Sequence, residues 1–138
     1  MKFAEPTRAM WGKLAVGLVL VANLTAAIPY VIDPAAYAGA FELSGAPGAA
    51  MVRGLGILFL MWNVTYLPVI FDPLRQRTLF VVVLVQQVIG LAGEIWIVAS
   101  LPAAHATLAA AGLNFIVFDG AGLALLVLAF ALTRRSPA

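Results

Sequence analysis

Four long apolar runs separated by short polar interruptions make up almost the whole chain. They extend from about Trp11 to Ile32, Met51 to Ile70, Leu79 to Leu101 and Leu108 to Leu132. A helix rises 1.5 Å per residue, and about 20 apolar residues cross the hydrocarbon core of a bilayer. Each run is long enough. The pattern therefore predicts an all-α integral membrane four-helix bundle, with residues 1–138 forming a single transmembrane domain. Asp33-Pro34 and Asp72-Pro73 each offer a capping carboxylate before a proline at the first helical position. They predict a short interfacial helix after Asp33 and a third helix beginning at Pro73. Pro102 marks a tight turn, since the residue before a proline is pushed out of the α region. Asp33 to Ala50, with Pro34, Pro47 and several glycines, is the only sizeable loop expected.

Composition agrees with the pattern. Hydrophobic residues make up 64% of the chain and charged residues 10%, far from the balance of soluble domains. The mean hydropathy is +1.05. The net charge of +2 could suggest nucleic acid, but no basic run exceeds two residues and the basic residues flank apolar runs, so no nucleic-acid partner is expected. Lys2, Arg8, Lys13, Arg75, Arg77, Arg134 and Arg135 all fall on one face, leaving only Arg53 on the other. By the positive-inside rule both termini are cytoplasmic. The N-terminus has the outline of a signal peptide, but its apolar stretch continues to Ile32 and is expected to be a retained span. Trp11, Tyr30, Tyr37, Tyr66 and Trp96 are expected in aromatic belts at the two interfaces.

The chain has no cysteine, which excludes disulfides, iron–sulfur ligation and thiol nucleophiles. One histidine, His105, cannot make a bis-histidine haem; it is expected to be solvated, and neither metal nor cofactor is expected. Asn23-Leu24-Thr25 and Asn63-Val64-Thr65 match the glycosylation pattern but lie inside spans, where no glycosyltransferase reaches.

The polar residues within the runs hold the chemistry. A charge near the middle of a spanning helix costs about 2.5–3.5 kcal/mol on insertion scales. Glu94 lies roughly 10 Å below Leu101, and Asp119 roughly 16 Å below Leu108, at 1.5 Å per residue. Asn23 and Asn63 fall at comparable depth, and Arg53 sits at the outer mouth of its span. Gln87, Gly90 and Glu94 share one helical face. The predicted cluster is Asn23, Arg53, Asn63, Gln87, Glu94 and Asp119. Arg53 is expected to pair with Glu94, leaving Asp119 with no basic partner in this chain. Asn114 points about 140° away from Asp119 by the helical period.

Three functions follow from such a cluster. The first is a non-catalytic accessory or structural subunit that packs against partner membrane proteins, or self-associates, in the lipid bilayer. The second is a binder or carrier of a small lipophilic molecule, a lipid or a quinone. The third is a membrane enzyme using Glu94 and Asp119 as acid and base. No catalytic constellation of serine, histidine and aspartate can be assembled at one depth.

The order IDPAAYAGAFELSG, GAAMVRGLGILFLMWNVTYLP and FDGAGLALLVLAF resembles the DoxX-like group of small four-helix bacterial membrane proteins. The resemblance implies a four-helix bundle in the bacterial cytoplasmic, or cell inner, membrane. Some members of that wider group are associated with quinone-linked thiosulfate oxidation or with auxiliary roles beside other membrane proteins. Without cysteine or a second histidine, only fold and location carry over.

Overall fold

The computed structural model describes residues 5–133. Lys2, Arg134 and Arg135, part of the charge pattern used for orientation, lie outside the described residues. Helix α1 is Glu5–Ile32. The short α2, Pro34–Ala38, is followed by one 3₁₀ turn, Gly39–Phe41. Then come α3 (Gly45–Asn63), α4 (Tyr66–Phe71), α5 (Arg77–Ser100) and α6 (Ala106–Leu132). With α3 and α4 taken as one run, four helices among the described residues are long and apolar enough to cross a membrane.

Several boundaries differ from the sequence pattern for identifiable reasons. The expected loop after Asp33 is mostly helical, with only residues 42–44 irregular. Pro47 lies in the first turn of α3, where no intrahelical N–H is needed, so α3 starts six residues before Met51. Asp33 occupies the N-cap position of α2 but makes no side-chain capping bond. The third long helix begins at Arg77 rather than Pro73, because Asp72 Oδ1 accepts the Arg75 N–H at 3.1 Å and closes a turn instead of capping a helix. Leu101 is extended before Pro102, as expected.

The second span is broken, which the hydropathy pattern does not reveal. Pro68 has no N–H for the Val64 carbonyl four residues earlier, and that carbonyl accepts from Leu67 at 3.3 Å instead. Val64 and Thr65 likewise bond three residues back, at 3.3 and 3.4 Å. Asn63 Nδ2 donates to the Phe59 carbonyl at 2.7 Å and Thr65 Oγ1 to the Trp62 carbonyl at 2.9 Å, so polar side chains satisfy backbone at the break.

The helices follow one another around a ring: α1 packs on α3, α4 and α6, and α5 packs on α6 and α4. At the end holding Arg8 and Arg77, the bundle is closed by Val16, Val19, Tyr66, Val69, Phe80, Val83, Leu126 and Ala129. There Arg8 Nε donates to the Leu132 carbonyl at 2.9 Å, and Arg77 Nη1 to the Phe130 carbonyl at 3.3 Å. Both cations meet the electron-rich C-terminus of α6. At the opposite end Tyr30, Ala38 and Val52 are buried with Phe41, Leu55, Phe59 and Phe115 against them. Outside, the apolar surface is turned outward: only 11% of the apolar windows of α5 and α6 is buried within the chain. Such surfaces suit lipid as solvent. Trp11 and Trp96 are exposed, whereas Tyr30 and Tyr66 belong to the interior and not to an aromatic belt.

Candidate functional site

Between the two apolar clusters lies a polar layer. Gln87, 2% exposed, is its centre: its Oε1 accepts from the Tyr66 hydroxyl at 2.9 Å and its Nε2 donates to the Asp119 backbone carbonyl at 3.2 Å. Asn23 Nδ2 donates to Asn63 Oδ1 at 3.0 Å, joining α1 to α3. Thr65 Oγ1 also reaches Gln86 Oε1 at 2.8 Å, so the two glutamines tie α5 to the broken span.

This layer floors a cavity of about 210 Å³ lined by α1, α3, α5 and α6. Its position follows from the break. Helix α5 has α4 and α6 as its principal neighbours, not α3, so the bundle is closed at the α4 end and parted above it. Ile89 and Ile97, lining residues that are 63% and 55% exposed, mark an open side facing outward among apolar residues. Trp62, Phe59, Phe115 and Phe118 supply aromatic walls. The roof is a ring cluster in which Phe115 lies 6.1 Å from Phe59 and 6.2 Å from Phe41, centroid to centroid.

Five of the six residues singled out in the sequence, Asn23, Asn63, Gln87, Glu94 and Asp119, line this cavity. Arg53 does not. It is exposed, and its Nε donates to the Val31 carbonyl at 3.2 Å, one of the terminal carbonyls of α1 that has no helical partner. The expected Arg53–Glu94 pair is therefore absent, and Glu94 Oε2 is buried with no hydrogen-bond partner among the described residues. Asn114 is exposed and outside the lining, in keeping with its phase. What the sequence missed is the aromatic share of the walls; Phe59 and Trp62 precede Asn63 on α3 at positions that read only as hydrocarbon.

The strap over the roof has a latch of its own. The chain between α2 and α3 ends a turn with Glu42 in the left-handed region, φ +55, while Glu42 N donates to the Gly39 carbonyl and Leu43 N to the Ala38 carbonyl, both at 3.0 Å. A non-glycine residue there is strained, and its side chain is used. Glu42 Oε2 meets His105 Nδ1 at 2.5 Å and Oε1 accepts the Leu108 N–H at 3.2 Å, tying the strap to the start of α6. His105 is thus bonded to the strap and not simply solvated. The His105 hydrogen bond first, and then the Leu108 N–H, hold the Glu42 carboxyl below its ordinary value of 4.5. A depressed carboxylate contributes stability that is present above its unfolded value and is lost as pH falls through the folded one. Amide hydrogen exchange at Gly39 to Leu43 should accelerate as pH is taken below 4.5, relative to the intrinsic rate, and Glu42→Gln should show that faster relative exchange already at neutral pH. Unchanged protection in Glu42→Gln would show that the latch does not hold the strap.

Among the described residues no group of three or more histidine, cysteine, aspartate or glutamate side chains could hold a metal ion. Compared with protein-family models, curated proteins and solved structures, the chain matches none.

Proposed function

We propose that this protein is a multi-pass membrane protein that binds a small lipophilic molecule in the cavity between α3 and α5. One observation carries the reading: the parted bundle places a cavity of about 210 Å³, aromatic-walled and polar-floored, beside an outward-facing opening among apolar residues. Ligand sites combine mostly apolar walls with a few convergent polar groups. A cavity of 150 Å³ is known to admit benzene, so this one suits a ring or a short chain with a small head. A molecule dissolved in the bilayer would enter sideways without crossing an aqueous interface. The alternative role as an accessory subunit draws on outward apolar faces, which lipid covers equally well, and on unpaired carboxyl groups, and Glu94 and Asp119 line the cavity.

The test uses Gly93. It lies on the lining face of α5, and a Cβ there would meet no atom within 4 Å. Gly93→Leu should therefore fold normally while filling the cavity. Protein extracted in mild detergent and examined by mass spectrometry should retain a small lipophilic molecule that is depleted at least about tenfold in Gly93→Leu, a loss of about 1.4 kcal/mol in binding. Identical small-molecule content in both proteins would remove the binding function.

The same reading places the bundle in the bacterial cytoplasmic membrane with both termini inside, as the charge distribution and the DoxX-like resemblance suggest. Reporter fusions check this. A reporter active only in the periplasm should be silent at Ala138 and active at Phe41, and the reverse pattern would invert the topology.

A further inference from the structure

We infer that the head group this cavity accepts is a positively charged hydrogen-bond donor, a small amine on an apolar body. The inference rests on the binding function proposed above and concerns which chemistry the cavity selects.

The hydrogen-bond inventory of the lining is weighted toward acceptors by two carboxyl groups. Each of the three amide side chains spends an N–H within the protein: Asn23 Nδ2 on Asn63, Asn63 Nδ2 on the Phe59 carbonyl, and Gln87 Nε2 on the Asp119 carbonyl. The acceptor capacity of the lining is led by the carboxyl groups of Glu94 and Asp119. Glu94 Oε2 is buried and has no hydrogen-bond partner among the described residues. A buried polar atom without a partner is costly, and a charged one more so. No lysine, arginine or histidine is among the lining residues, and Arg53, the nearest cation by sequence expectation, is engaged by α1. A quinone carbonyl or a lipid phosphate brings more acceptors to a site already rich in them, and a phosphate also brings like charge. An ammonium brings N–H donors and the opposite charge. The aromatic walls add to this, because ring faces attract cations and tolerate apolar bodies.

Three probes sharing one tail, octylammonium, octanol and octanoate, separate the possibilities. Trp62 lines the cavity, and with the exposed Trp11 and Trp96 changed to Phe it is the sole indole, so its emission reports occupancy. The protein is placed in zwitterionic lipid nanodiscs, with Gly93→Leu in the same background giving the signal from partition into lipid. Octylammonium should shift Trp62 saturably, at least about tenfold more tightly than octanol, and octanoate should match the Gly93→Leu blank. Glu94→Gln, similar in shape, should bring octylammonium to the octanol level and leave octanol unchanged. Should Glu94→Gln not fold, Asp119→Asn is read in the same way. Octanol or octanoate binding as tightly as octylammonium would overturn the head-group inference and leave the cavity function standing. If all three probes match the Gly93→Leu blank, the binding function falls and the inference with it.

Discussion

Gly56→Val should unfold this protein or separate its first two spans, at a cost of about 3 kcal/mol or more. A Cβ at Gly56 would stand 2.8 Å from Tyr30 Cβ, 2.9 Å from the Ala27 carbonyl oxygen and 2.9 Å from Val31 Cγ2. The carbonyl belongs to the backbone of α1 and cannot turn aside as a side chain would. Helix association in lipid lacks a hydrophobic drive and depends on such close backbone approach. Gly54 provides the control, because a Cβ there meets nothing within 4 Å. Unfolding by sodium dodecyl sulfate titration should place Gly54→Val close to the parent and Gly56→Val far below it. Equal behaviour of the two would mean that α1 and α3 do not meet at Gly56.

The second large effect is expected at Gln87. Gln87→Leu keeps the volume but removes both of its hydrogen bonds, leaving the buried Tyr66 hydroxyl without its acceptor; the expected loss is about 2–3 kcal/mol. Tyr66→Phe alone should cost less, about 1 kcal/mol, since Gln87 keeps its bond to Asp119. The double variant should then be more stable than the sum of the two losses, by about 1 kcal/mol, because no stranded hydroxyl remains. Strict additivity in the same titration would show that the two side chains do not interact.

Span number and rough boundaries could be read from the chain because hydropathy is summed over twenty residues and survives local error. The polar layer could be read too, since a counted depth of 1.5 Å per residue brings Asn23, Asn63, Glu94 and Asp119 to comparable levels and the helical period puts Gln87 on the face of Glu94. Pairings were harder. Arg53 was expected to descend to Glu94, but the terminal carbonyl of Val31 lies within its reach and needs a donor. Depth alone does not rank such competitors. Glu42 and His105 gave no signal, being 63 residues apart with neither inside a span. Tyr66 read as a belt aromatic because it flanks an apolar run, yet the break two residues before it and Gln87 across from it turn its ring inward.

That break also sets a mechanical ratio. Helix α3 has 19 residues, so a hinge at residues 64 and 65, whose backbone bonds run three residues back, would carry an arm of about 28 Å. A tilt of about 5° at the pivot displaces the far end of such an arm by about 2.5 Å, more than the radius of a methylene group. The shorter α4 packs between α1 and α5. The seam at Gly56 packs α3 against α1, and the strap bonded to His105 ties the far end of the arm to the start of α6. One proline, Pro68, thus fixes the fulcrum from which the width of the opening is measured.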